Sequence, residues 1–211
     1  MIRTPSRHRC DDFLLTRREF AGASFAPFFI TEHAMEDQVI LVDENDTEIG
    51  VEGKMIAHRS GSLHRAISIF IFDSADRLLL QKRAASKYHS AGLWSNTCCS
   101  HPRPREECAR AARRRLREEM GIACELDVKF GFVYRAVLTN HLIENEFDHV
   151  FFGRHDGDPV PNPDEAEDWK WVDLAWLRAD LNERPHAYSF WLEACIDRVI
   201  ACREEDRTRV A

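Results

Sequence analysis

The sequence predicts an α/β sandwich, and three observations carry that prediction. Two strand–turn–strand units follow one another from Val39 to Arg83. The first arm of the second unit is apolar on both faces over 66–72. A single amphipathic helix near 105–120 then stands between these strands and two further ones, near 126–138 and 146–153. Strands with helices interposed bury their apolar faces by layering helix against sheet.

Each element has its own local reason. Residues 1–34 differ in texture from the rest. Thr16-Arg17-Arg18-Glu19-Phe20 and the apolar stretch from Ala21 to Ile30 have the outline of a twin-arginine export signal, but Pro27 breaks the stretch and no clean cleavage site follows. They are read as an N-terminal extension, disordered or loosely packed. Met35 is the natural start of a domain over 35–205, with a short tail over 206–211. VILVD, the polar turn Glu44-Asn45-Asp46 and EIGVEG form the first hairpin, with Gly50 and Gly53 as breakers. HRAISIFIFD, the turn Ser74-Ala75-Asp76 and RLLLQKR form the second. In its first arm Ala66, Ser68, Phe70 and Phe72 alternate with Ile67, Ile69 and Ile71, as expected of a strand covered on both sides. Residues 83–103 read as a long polar loop. In the following helix Cys108, Ala112, Leu116 and Met120 recur every four residues on one stripe, and Gly121 is placed as a C-terminal stop. DGDPVPNPDE is a surface loop, DWKWVDL a short strand feeding a helix, and a last helix spans about 188–204.

Composition narrows the functional classes. The chain has 211 residues, 44% apolar and 31% charged, with a formal charge of −7. That is enough for one well-filled domain, and the acidic balance argues against a general nucleic-acid binder. With no apolar run of 18 residues, the sequence offers no membrane-spanning helix. The seven cysteines are odd in number and irregular in spacing, and Cys98-Cys99 is adjacent rather than CxxC. Neither a disulfide framework nor a zinc ribbon follows; the pattern suits a reducing, cytoplasmic compartment.

Three constellations can carry chemistry. His58, His64 and His101 fall in loop or strand-edge contexts. The strand period puts Glu144 and Glu146 on one face. Three imidazoles with two carboxylates would make a five-ligand site for Zn²⁺, Mn²⁺ or Mg²⁺; taken by spacing alone, the same histidines read better as several surface residues among ten scattered ones. In Trp94-Ser95-Asn96-Thr97-Cys98-Cys99-Ser100-His101-Pro102 a cysteine lies near a histidine, as a nucleophile, an acid–base group or an ordinary half-buried thiol. The third constellation is the helix. From Ser100, Glu106 follows six positions on and Arg114 eight beyond that, then Arg115-Leu116-Arg117-Glu118-Glu119-Met120-Gly121-Ile122. This resembles the Nudix box, whose glutamates hold Mg²⁺ against a diphosphate. Ser100 stands where that box has glycine, and Arg115 where it has glutamate. A cation at Arg115 would repel a metal placed there and neutralise Glu119 one turn away, which argues against hydrolysis.

LVDENDTEIG, Lys54 to His58, Leu63-His64 and QKRAASKYHSAGLWSNTCCSHP, with Tyr134-Arg135-Ala136, Glu144-Asn145-Glu146 and Ala187-Tyr188-Ser189-Phe190-Trp191, together resemble the type 1 isopentenyl-diphosphate delta-isomerases, a non-hydrolysing branch of the Nudix superfamily. The likeness runs from about Val39 to Cys202. It implies a Nudix-type α/β/α sandwich with a mixed central sheet, and an enzyme transposing the double bond of isopentenyl diphosphate to give dimethylallyl diphosphate for isoprenoid biosynthesis. Carried over position by position, it implies Cys99 rather than Cys98 as a catalytic group, Glu146 as its partner and Tyr134 beside them. It further implies Trp191 against the carbocation, and Lys54, Arg83 and Lys87 on the diphosphate. His58, His64, His101, Glu144 and Glu146 would hold a metal (Mn²⁺, Mg²⁺ or Zn²⁺), and Glu119 a Mg²⁺ carried by the substrate. No flavin and no nucleic acid are implied, and both monomer and homodimer stay open. Asp148-His149 offers a spare ligand but reads better as outward-facing. The competing classes are a Nudix hydrolase of a nucleoside diphosphate derivative and a degenerate Nudix module that binds without turnover.

Overall fold

A computed structural model describes residues 38–210; the extension expected over 1–34 lies outside them. The first hairpin forms as expected. Strand β1 (Gln38–Val42) pairs antiparallel with β2 (Glu48–Gly53), and Asp46 turns the chain at a φ of 63°. Gly50 is no breaker, because it pairs with Leu41 inside the ladder. Gly53 ends β2 and leads into a short helix, α1 (Lys54–Ser60), which places His58 on a helix rather than in a loop or at a strand edge.

The second hairpin is only a turn. β3 (His64–Phe72) and β4 (Leu78–Arg83) pair at Phe72–Leu78 and then part. β3 instead runs parallel to β8 (Ile143–Arg154) over its whole length. Apolar coverage on both faces is what permits that central, parallel position. β4 takes β9 (Ala166–Val172) and the two-residue β5 (Trp94–Ser95) as partners. The stretch 83–103, read as loop because it is polar, contains β5 and β6 (Cys98–Ser100) and is buried over Ser95–Cys98. Its polar side chains satisfy sheet backbone: Thr97 Oγ1 donates to the Leu79 carbonyl at 2.7 Å, and Asn96 Nδ2 to those of Ile69 and Cys98.

Helix α2 (Cys108–Met120) starts later than the sequence suggested. Arg105 has a φ of 68° and the Glu106 carboxylate accepts from the Arg103 amide, so the chain is still turning there. Gly121 closes the helix as expected, at a φ of 68°; a Cβ on it would come within 2.8 Å of the Val160 carbonyl. After β7 (Leu126–Val137), β8 and β9 come α3 (Leu174–Glu183), capped by Asp173, and α4 (Phe190–Val210), longer than read.

The described strands form one mixed sheet with a core on each face. Phe70, Phe72, Val150 and Phe152 pack with Leu192, Ile196 and Val199 of α4. Ile67, Ile69, Ile71 and Leu79 pack with Ala112, Leu116 and Met120 of α2. This is the α/β/α sandwich the sequence implied. The two alternating sets of β3 thus face opposite helices, and each contributes about 1.5–3 kcal/mol per fully buried large side chain.

Candidate active site

The sheet register assembles the site. His64 on β3 is opposite Glu146 on β8, and Glu146 is opposite Tyr134 on β7, so three strands set these groups in one row. Two residues back on β8, Glu144 shares the inward face. His58 reaches the row from α1, and His101 from the end of β6. On β6 the period of two also separates the adjacent cysteines. Cys98, opposite Ile69, is sealed in the core under α2, whereas Cys99, opposite Ser68, faces the pocket.

His58 Nδ1 lies 2.7 Å from the Lys54 carbonyl and His64 Nδ1 2.9 Å from that of Ser62. A carbonyl only accepts, so each Nδ1 donates, and in the neutral ring Nε2 carries a lone pair. His58 Nε2, His64 Nε2 and Glu144 Oε2 are buried without a hydrogen-bond partner. Yet His58 Nε2 sits 3.3 Å from Glu144 Oε2, and His64 Nε2 3.5 Å from Glu146 Oε1. One ligand atom from each of His58, His64, His101 and Glu146 lies within 4.8 Å of the others. Buried acceptors facing acceptors call for positive charge, and a divalent cation fits this set. His64 shows the same demand: burial would lower its pKa, but the adjacent Glu146 carboxylate raises it. Burial likewise works against the Glu146 carboxylate, but His64 and the neighbouring hydrogen bonds bring it to about 2. Tyr134 Oη donates to Glu146 Oε2 at 2.5 Å.

On the cysteine side, Cys99 Sγ donates to Asn96 Oδ1 at 2.8 Å and lies 3.4 Å from Ser68 Oγ. Burial pushes the thiol up, so it stays protonated. Ser68 Oγ in turn meets Asp148 Oδ2 at 2.7 Å. Asp148 is therefore not outward-facing: it is buried behind Ser68, and burial raises its pKa well above its ordinary value. Trp191 is held by its indole N–H, donated to Ser95 Oγ at 2.8 Å.

Three cations share the cavity. Lys54, Arg83 and Lys87 all line the pocket; burial lowers the pKa of Lys54, and Lys87 pairs with Glu165. The Arg83 guanidinium lies 5.2 Å from the Trp191 ring centre. Glu119 also lines the pocket, with Oε1 taking Arg115 at 2.7 Å and Oε2 taking Gln81 at 3.2 Å. The neutralisation expected of Arg115 is thus observed, although each Glu119 oxygen keeps a further lone pair.

Residues 62–192 match the NUDIX domain. The chain is 71% identical over 169 residues to isopentenyl-diphosphate Delta-isomerase 2 of Aromatoleum aromaticum, covering 80% of this chain and 89% of that protein. The chain belongs to the isopentenyl-diphosphate Delta-isomerase family. Identity to the isopentenyl-diphosphate Delta-isomerase of Burkholderia multivorans is 54% over 164 residues, covering 78% of this chain and 93% of that one. Among solved structures, DR0079 of Deinococcus radiodurans shares the fold, with a TM-score of 0.65 at 21% identity over 76% of this chain and 98% of its own.

Every residue singled out from the isomerase resemblance lies in this pocket or in the row behind it. Sequence reasoning passed over Asn96 and Ser68, which hold the Cys99 thiol, and His89, which meets Glu144. Their signal was weak: Asn96 and His89 are polar residues in a stretch that reads as loop, and Ser68 is a single hydroxyl in an otherwise apolar strand. Among the described residues no helix is long and apolar enough to cross a membrane.

Proposed function

We propose that this pocket interconverts isopentenyl and dimethylallyl diphosphate, with Cys99 and Glu146 as the two proton-transfer groups. The observation that carries the residue assignment is their placement in one cavity, the Cys99 thiol held by Asn96 and the Glu146 carboxylate by Tyr134. One is a thiol kept protonated by burial and the other a carboxylate kept ionised, both lining one cavity. A proton added at C4 of the alkene leaves a tertiary carbocation at C3. Loss of a proton from C2 then gives the C2–C3 double bond. One group adds and the other removes, each within reach of the substrate.

Tyr134, by donating to Glu146, fixes the carboxylate's orientation and partly offsets its charge as the proton moves. Trp191, fixed by Ser95, presents an aromatic face to the cation, worth about 0.5–2 kcal/mol. The buried walls keep water from the carbocation. Lys54, Arg83 and Lys87 meet the diphosphate through charge-assisted hydrogen bonds. His58, His64, His101, Glu144 and Glu146 would hold a divalent metal, Mn²⁺, Mg²⁺ or Zn²⁺, and Glu119 a Mg²⁺ arriving with the diphosphate. Such a cation, when bound, would supply Lewis acidity that helps to hold its carboxylate ligands ionised. The reading also places the protein in the cytoplasm.

Incubation with isopentenyl diphosphate and Mg²⁺ in D₂O tests the reaction. Deuterium in the methyl group of the allylic product is expected. Phosphate release without isomerisation would make the protein a hydrolase, and binding without turnover would make it a Nudix module.

A further inference from the structure

His89 lies outside the set of ligands considered so far, yet it closes the metal centre on one side. It is buried, and its Nε2 stands 3.2 Å from Glu144 Oε1, the oxygen opposite the one that faces His58. Its ring stacks at 29° to that of His58, and its Nδ1 meets Ser90 Oγ at 3.3 Å. The backbone is tied down too. Arg83 Nη2 donates to the His89 carbonyl at 3.3 Å, Ser90 turns at a φ of 49°, and the Gly92 amide returns to the Arg83 carbonyl. A non-glycine residue at positive φ is strained, so this loop is held in place by its contacts.

Two overlapping groups can hold a cation: His58, His64, His101 and Glu146, or His58, His89 and Glu144. His58 belongs to both, but its Nε2 has a single lone pair and serves one ion at a time. The larger group keeps His58, and His89 then lies beyond Glu144. We propose that His89 is a positioning residue of the metal centre, holding Glu144 by Oε1 so that Oε2 stays turned to the cation. Because Arg83 grips the His89 backbone, the same loop joins the diphosphate-binding cations to the metal ligands. Outer partners of this kind typically change metal affinity 10- to 100-fold. The inference rests on reading the His/Glu cluster as a metal centre.

Mn²⁺ titration of the metal-stripped protein, followed by the loss of free-ion EPR signal, tests it. His89→Ala should weaken Mn²⁺ binding about 10- to 100-fold. His89→Gln, whose amide can still donate to Oε1, should recover most of that loss. Mn²⁺ binding by His89→Ala within two-fold of the parent would overturn the proposal. So would equal loss in both variants, which would make His89 a direct ligand. Should His89→Ala fail to fold, the glutamine variant decides by itself: near-parent affinity supports positioning, and a loss as large as His64→Ala refutes it. A parent protein that takes up no Mn²⁺ would instead sink the metal-centre reading itself.

Discussion

Two sets of carboxylates face the same pocket from opposite layers, and they are built oppositely. On and around the box helix α2, Glu106, Glu118, Glu119 and Glu165 each have a guanidinium. Arg114 grips Glu106 through two bonds of 2.8 and 2.7 Å, and Arg115 reaches Glu118, Glu119 and Glu165. At the sheet end Glu144 and Glu146 face imidazoles, and several acceptor atoms remain without a donor. The helix has satisfied its charge internally, while the strands leave theirs for a cation. The cluster compatible with a divalent cation among the described residues accordingly gathers at the sheet end, with His58 reaching it from α1.

The largest effect should therefore come from the sheet end. Cys99→Ala and Glu146→Gln should each lower kcat by about 10²–10⁴-fold while leaving circular dichroism unchanged. Cys98→Ala, on the opposite face of β6, should leave kcat within a few-fold and show its cost in stability. Near-parent turnover in either of the first two would remove that residue from the chemistry. A severe kinetic loss in Cys98→Ala would mean that the neighbouring thiol is the reactive one.

A second effect sharpens the contrast from the helix side. Glu119 is almost fully buried and leans on Arg115. Removing one partner of a buried pair strands the other's charge, at a cost of about 3–5 kcal/mol. Gln81 still donates to Glu119, so Arg115→Ala should fall at the lower end, about 3 kcal/mol, read from the midpoint of urea unfolding. A cost below about 1 kcal/mol would mean that these carboxylates do not depend on their arginines, and the asymmetry between the two layers would fail.

Much of this was legible in the sequence, and the rest was hidden for definable reasons. The period of β3 exposed its two-sided burial, and that of residues 144–146 correctly placed both glutamates on one face. The spacing of the box signalled Arg115 as the residue that quenches Glu119. Register was not legible: a period of two assigns a face, whereas the row His64–Glu146–Tyr134 depends on pairings among strands about 80 and 12 residues apart in the chain. The parallel partnership of β3 with β8 was hidden behind a turn that looked like a complete hairpin. Helix α1 is only seven residues long, too short for an apolar period to show, so His58 read as loop. Asn96, Thr97 and His89 were hidden by their polarity, because a buried polar side chain that satisfies backbone or a neighbouring carboxylate looks, in sequence, like solvent-facing loop.

The smallest effect separates the layers by pH. Burial would raise the Glu106 pKa, but the Arg114 hydrogen bonds and the Arg103 amide hold it below its ordinary value. A carboxylate depressed on folding adds stability above its unfolded pKa, near 4.3, and loses it as pH falls through the folded value. The pair reaches solvent on the Arg114 side, so screening limits the contribution to about 1 kcal/mol. Glu106→Gln should thus cost about 1 kcal/mol at pH 7 in urea unfolding, and the gap to the parent should close as the pH drops below about 4. A gap that persists undiminished into acid would mean that Glu106 contributes by shape and hydrogen bonding rather than by charge. The helix layer would then not be the internally neutralised partner of a cation-seeking sheet.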